Sequence, residues 1–219
     1  LYAAADGVRA AHQGTDVQLR GLIEFSNVCR KNCAYCGLRV ANRGADRYRL
    51  TPEEIVATAR RAEQLGYKTV VLQSGEDRWF TAERMAAIIR AIKAATDLAI
   101  TLSAGERDRR TYARWREAGA DRYLLRIETT DPALFAALHP DGDLAARQQC
   151  LYDLRDLGYQ LGTGVMVGLP GQTPDTLAGD VIWMHELGAE MIGVGPFIPH
   201  PDTPLCDAAG GTVEQTLRL

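Results

Sequence analysis

The side chains with the most chemistry in this sequence are three cysteines in the segment Cys29-Arg30-Lys31-Asn32-Cys33-Ala34-Tyr35-Cys36. Their spacing is C-x3-C-x2-C. A 4Fe–4S cluster that only carries electrons takes four thiolates. Three thiolates leave one iron open to a ligand from outside the protein. Catalytic metal sites keep such a position and structural sites close it. The spacing therefore points to an iron–sulfur enzyme. A zinc site is the alternative, with Cys150, Cys206 or His200 as a distant fourth ligand, although zinc sites more often pair their ligands as two C-x2-C units.

The elements that present these cysteines follow a rhythm. Apolar, β-branched runs recur at 22–26, 69–73, 98–102, 123–127, 164–167 and 191–194. Short continuous runs of this kind suit parallel strands covered on both faces. Helical patterns separate them. Thr51-Pro52-Glu53-Glu54 offers an N-cap, a proline at the first helical position and a capping-box glutamate. Ile55, Ala59, Ala62 and Leu65 then share one face. Thr173-Pro174 opens a second such helix, striped by Leu177, Val181 and Met184. Gly66, Gly119, Gly158 and Gly188 each close a helical stretch, where a left-handed C-cap favours glycine. Strand–helix units repeating about every 30 residues imply right-handed parallel crossovers. The expected architecture is an α/β fold, a (β/α) barrel of the TIM type with about six units, partial or truncated; a doubly wound sheet is the alternative. Residues 1–20 read as a helical lead-in and 21–219 as the barrel domain. The chain lacks an initiating Met and ends on what looks like the first turns of a helix, so we expect a piece of a longer protein.

In a barrel, ligands gather at the C-terminal ends of the strands. The cysteines follow the first strand. Gln73-Ser74-Gly75-Glu76-Asp77, Ser103-Ala104-Gly105-Glu106, Arg126-Ile127-Glu128-Thr129 and Gly168-Leu169-Pro170-Gly171-Gln172 follow others. Polar and glycine-rich chemistry thus converges on one rim.

Bulk properties exclude other classes. A net charge of -3 gives no nucleic-acid footprint. No apolar run approaches the roughly 18 residues of a membrane span, and no secretory leader is expected. Five cysteines, three of them clustered, do not read as a disulfide framework. A reducing cytoplasm is the expected location.

C-x3-C-x2-C with an aromatic residue before the last cysteine, placed after a first barrel strand, resembles the radical S-adenosylmethionine (SAM) superfamily. The longer strings IEFSNVCRKNCAYCGLR, RYRLTPEEI, VLQSGED, EAGADRYLLR, MVGLPGQT and GPFIPHPDTPL resemble the HydE family of FeFe-hydrogenase maturases, over most of the chain. Biotin synthase and methylornithine synthase are relatives that share the cluster motif and the barrel.

The resemblance implies a role for each site residue. Cys29, Cys33 and Cys36 would hold a 4Fe–4S cluster, and Tyr35 would pack over it beside the SAM adenine. Ser74, Gly75 and Glu76 would meet the SAM ammonium, a carboxylate being the natural partner there. Glu128 would accept from the ribose hydroxyls and Arg147 would fork onto the methionine carboxylate, with Ser103 a further SAM contact. Gln73, Thr101 and Arg126 would line the interior that receives substrate. Arg126 would meet a substrate carboxylate or, alternatively, pair with Glu128 or Glu24. The implied reaction is reductive cleavage of SAM to a 5′-deoxyadenosyl radical. The implied partners are a small sulfur-containing or iron-bound cysteine substrate, a reductant such as ferredoxin or flavodoxin, and other hydrogenase maturases. Other readings are a radical SAM mutase or sulfur-transfer enzyme, and a non-catalytic iron–sulfur carrier or scaffold.

Other reactive residues read as structural: Cys150 as a buried thiol on a helix, Met166 as core, and His12, His139 and His185 as ordinary histidines. Cys206 is uninformative, and the role of His200 is open. The HydE pattern carries a histidine where this chain has Ile127. On a strand that side chain points away from Arg126 and Glu128.

Overall fold

A computed structural model describes residues 1–219. Six strands form one parallel sheet in chain order: β1 (Gly21–Ser26), β2 (Thr69–Ser74), β3 (Ala99–Ser103), β4 (Arg122–Leu124), β5 (Gln160–Val167) and β6 (Met191–Pro196). Between them run α2 (Pro52–Gln64), α3 (Ala82–Ala95), α4 (Arg109–Glu117), α5 (Pro132–Leu138), α6 (Leu144–Asp156) and α7 (Pro174–Leu187), flanked by α1 (Tyr2–Gln13) and α8 (Val213–Arg218). This is the expected partial (β/α) barrel. The strand order rules out the doubly wound sheet, whose order would reverse at a switch point. The first helix, α1, buries no residue.

The capping chemistry forms as written. Thr51 accepts from the Glu54 N–H while Glu54 accepts from the Thr51 N–H, and Thr173 pairs with Thr176 in the same reciprocal way. Gly188 caps α7 in the left-handed region. Even-numbered Val70, Leu72, Ile100 and Leu102 face the helices and are fully buried. They join a single core of 31 residues, in which Trp115 stacks on Tyr123 at 6.3 Å.

Three expectations need correction. Leu65 ends the α2 stripe on the surface, because the helix buries only Ile55, Ala59 and Ala62. The buried face of α7 is Asp180, Met184 and Leu187, and Val181 lies outside it. Asp180 takes that place because its Oδ1 accepts the Thr130 hydroxyl at 2.7 Å, tying α7 to the end of the β4 segment. Strand β4 stops at Leu124 rather than Ile127. The chain turns there, and Glu128 has φ 64, the one non-glycine residue in the left-handed region.

Candidate active site

The cysteine loop is shaped by its own polar side chains. A register shift between Glu24 and Ser26 ends β1 in a bulge, a common device next to functional sites. The Arg47 guanidinium then donates to four carbonyls of the loop, those of Asn27 (2.6 Å), Leu38 (3.1 Å), Arg39 (3.0 Å) and Asn42 (3.1 Å). Asn27 receives the Tyr48 N–H at 2.8 Å. Arg49 pairs with Asp77, which also accepts the Ser26 hydroxyl at 2.8 Å.

Within this frame Cys29, Cys33 and Cys36 are free and half-buried. Burial, then the neighbouring Cys36, pushes the Cys33 thiol up to about 12, and burial also raises Cys36. A metal ion reverses that preference, since a coordinating thiol loses its proton outright. No three His, Cys, Asp or Glu side chains converge closely enough to hold a single ion. A 4Fe–4S cluster instead spreads three protein ligands over three irons, and this donor set fits it. The Cys29 sulfur accepts the Glu76 N–H at 3.3 Å, and the Cys33 sulfur lies 3.3 Å from His139 Nδ1.

Gly75 lets the second loop reach the first. A Cβ there would fall 2.7 Å from the Cys29 Cβ and collide with the Val28 carbonyl. Gly105, at φ 74, does the same for Glu76, whose Cδ would lie 2.7 Å from an added Cβ. Glu76 is buried, and its Oε1 accepts the Glu106 N–H at 2.8 Å. Its Oε2 has no hydrogen bond: Arg30 stands 3.0 Å away but out of line. Ser74 spends its hydroxyl on the Gly75 carbonyl at 2.7 Å.

Arg147, on α6, is buried rather than a surface cation. It pairs with Glu106 and donates from Nη1 to the Arg126 carbonyl at 2.7 Å. Lys31 also reaches Glu106, at 2.9 Å. Burial raises the Glu106 carboxyl, but Arg147 and Lys31 more than offset it and hold the group below its ordinary range. Burial pushes Glu128 the other way, above the ordinary range, against Arg126 and Arg147. Arg126 Nε stands 3.2 Å from Glu128 Oε1 and its Nη2 donates to the Val165 carbonyl, so the internal pair forms and the substrate-carboxylate reading keeps only Nη1 and the second Nη2 proton. Glu128 Oε2 is buried with no partner. Ile127 is fully buried in the core and donates its N–H to Thr163 Oγ1 at 3.1 Å.

Register places Gln73 beside Ser103 and Val71 beside Thr101, on the sheet face opposite the helices. The Thr101 hydroxyl is buried and unbonded. Tyr35 and Met166 rest on a small apolar cluster of Leu134, Leu138, Leu169 and Phe197. On the same concave side β5 and β6 present glycines: Gly162 pairs with Met191, Gly164 with Gly193 and Met166 with Gly195.

Sequence reading gives no role to Lys31 or Arg47, places Glu106 on the rim without a role, and reads His139 as an ordinary histidine. Glu106 carried a signal, because Gly105-Glu106 after β3 repeats Gly75-Glu76 after β2. Three of the other reactive residues lie on the surface and two border the site. His12, His185 and Cys206 are exposed. Cys150 is half-buried and lines a cleft of roughly 500 Å³ with Arg30, Arg78 and Arg107. His200 packs against Gly37, next to Cys36.

Comparison with known proteins agrees with this geometry. The profile of the radical SAM superfamily matches residues 23–183. The chain is 52% identical over its whole length to the [FeFe] hydrogenase maturase subunit HydE of Thermotoga maritima, and covers 63% of that protein. It is 30% identical over 94% of its length to 3-methylornithine synthase of Methanosarcina acetivorans, covering 59% of it. The crystal structure of methylornithine synthase (PylB) superposes with a TM-score of 0.88 at 30% identity, over 94% of this chain and 61% of that one. The chain thus spans less than two thirds of these relatives. With the profile matched across most of the sheet and the cysteine loop at its rim, the chain belongs to the radical SAM superfamily, whose members use a 4Fe–4S cluster and S-adenosylmethionine.

Proposed function

We propose that this chain is the barrel domain, residues 21–219, of a HydE-type maturase acting in assembly of the diiron subsite of FeFe-hydrogenase. The observation that carries the reading is one juxtaposition on the rim. Three thiols stand beside two buried carboxylates, Glu76 and Glu128, each with an oxygen that accepts no hydrogen bond, that of Glu76 having only the Arg30 guanidinium 3.0 Å away. Buried carboxylate oxygens that accept no hydrogen bond are costly unless a ligand supplies donors. An ammonium and a pair of ribose hydroxyls are such donors.

The chemistry that the cluster supplies when bound is one-electron cleavage of the C5′–S bond of SAM, giving methionine and a 5′-deoxyadenosyl radical. The chain's own residues bind and orient. Cys29, Cys33 and Cys36 hold the cluster, and Glu76, carried by Ser74-Gly75, takes the SAM ammonium. Arg147 offers the methionine carboxylate its free Nη2 while Glu106 and Lys31 fix its stem. Glu128 accepts from the ribose, Tyr35 and Ser103 close around the adenosine, and Gln73, Thr101 and Arg126 turn polar groups toward substrate. The substrate is a small sulfur-containing or iron-bound cysteine species, the reductant a ferredoxin or flavodoxin, and other hydrogenase maturases are partners. A cytoplasmic site suits this chemistry, and no helix is long and apolar enough to cross a membrane.

Anaerobic reconstitution of the protein with iron and sulfide, followed by SAM and dithionite, tests the enzyme reading. 5′-Deoxyadenosine is expected, and its absence would overturn the reading. The 30% identity to 3-methylornithine synthase supports a mutase as second reading. Turnover of a free amino acid, without transfer of iron, would favour it.

A further inference from the structure

We infer that His139 donates a hydrogen bond from Nδ1 to the sulfur of Cys33 and so raises the reduction potential of the cluster. The inference rests on the assignment of the three cysteines as its ligands. Nδ1 stands 3.3 Å from Sγ. The ring has no freedom to leave: it is 2% exposed, tilted against Phe135 at 4.5 Å and edge-on to Tyr35 at 5.5 Å.

The backbone around it is docked on the cysteine loop at both neighbours of Cys33. The Ala34 N–H donates to the Leu138 carbonyl at 2.8 Å, and the Asn32 N–H donates to Asp141 Oδ2 at 3.1 Å. The turn closes tightly, with the Gly142 N–H on the His139 carbonyl at 2.8 Å. A Cβ at Gly142 would fall 2.8 Å from the His139 Cβ. Helix α5 and the turn after it therefore form a bracket that aims the imidazole at one ligand.

The tautomer follows from the surroundings. A cysteine bound to iron is a thiolate and only accepts. Nδ1 must then carry the proton for the contact to attract. Nε2 is buried without a partner. In this tautomer it is a bare lone pair, which costs less than an unpaired buried N–H. Hydrogen bonds to the sulfurs of an iron–sulfur centre are among the features that set its potential. A donor at Cys33 stabilises the more negative, reduced cluster. His139 is thus a positioning residue that acts through Cys33.

The test compares reconstituted His139→Phe and His139→Asn with the unsubstituted protein, reading iron per chain and the midpoint potential by EPR-monitored titration. Phenylalanine keeps the packing and loses the donor, and asparagine restores an N–H near the Nδ1 position. The expected result is a midpoint shifted negative in the Phe protein and recovered in the Asn protein, at equal iron. An unmoved midpoint in the Phe protein, or a shift that Asn does not recover, overturns the inference. Failure of the unsubstituted protein to bind iron would overturn the ligand assignment instead. If the Phe protein takes up no iron, the reduced His200→Ala protein carrying ¹⁵N-histidine decides. Hyperfine coupling to an imidazole nitrogen supports the bond, and none overturns it.

Discussion

The β1–β4 side of the sheet and the β5–β6 side follow different rules. On the first, helices α2, α3 and α4 cover the strands, and these helices and strands together supply most of the core. Its loops are locked by ion pairs, Arg49 with Asp77 and Lys31 with Glu106. On the second, β6 turns Ile192 and Val194 outward to solvent, and α7 leaves Val181 and Ile182 exposed. Its concave face carries glycine where the other side carries Gln73, Thr101 and Ser103. The side that holds the cysteines fixes its loops by charge. The opposite side has an open outer face and a concave face of small residues, close-packed at Gly164, where an added Cβ would collide with the Gly193 carbonyl oxygen.

The widest contrast is between two glycines. Gly75→Ala drives a methyl group into the Val28 carbonyl and the Cys29 side chain, so the cysteine loop must move. We expect iron uptake on reconstitution to fall to background, with a destabilisation of about 3 kcal/mol from overpacking, read by metal analysis and urea unfolding. Equal isoleucine truncations come next. Ile89 is fully buried in α3, and Ile89→Ala should cost about 3 kcal/mol. Ile192→Ala, at 51% exposure, should stay within about 0.5 kcal/mol. Similar losses for the two would erase the distinction between the sides.

A smaller effect probes the loop anchor. Arg49→Ala removes the partner of buried Asp77 and should cost about 2 kcal/mol at neutral pH. Burial raises the Asp77 carboxyl, but the bonds from Arg49 and Ser26 outweigh it and hold the group below its ordinary value. A depressed folded-state pKa stabilises above the unfolded-state value, about 4, and that contribution fades as pH falls through the folded-state value. The gap between the two proteins should therefore be full at pH 7 and narrow near pH 3. A gap that widens in acid would contradict the pairing. The least effect is expected at Gly195→Ala, where an added Cβ meets nothing within 4 Å. A change within about 1 kcal/mol, of either sign, is expected.

The same contrast divides what the sequence makes legible. Local chemistry reads directly: the capping boxes at Thr51 and Thr173, the glycine exits and the cysteine spacing are each written within a few neighbouring residues. Pairings across the fold do not. Lys31 meets Glu106 across 75 positions, and Cys33 meets His139 across 106. Nothing local marks such partners, which only the closed sheet brings together. The short β4 was hidden for the same reason. Residues 125–127 are apolar or long-chained and read as strand, but Glu128 pairs with Val165 of β5 and turns the backbone left-handed. Leu65 and Val181 misled because periodicity gives the direction of an apolar stripe without its length.

Arg47 has a consequence for the order of assembly. Small metal sites are often folded by their metal, and a chelator unfolds them. Here one guanidinium already gathers four carbonyls from both ends of the cysteine loop. On the proposed ligand assignment the loop is a mould made by the chain, into which iron and sulfide would be cast. Stripping iron with a chelator should leave the far-ultraviolet circular dichroism unchanged, and the emptied protein should take up a new cluster without refolding.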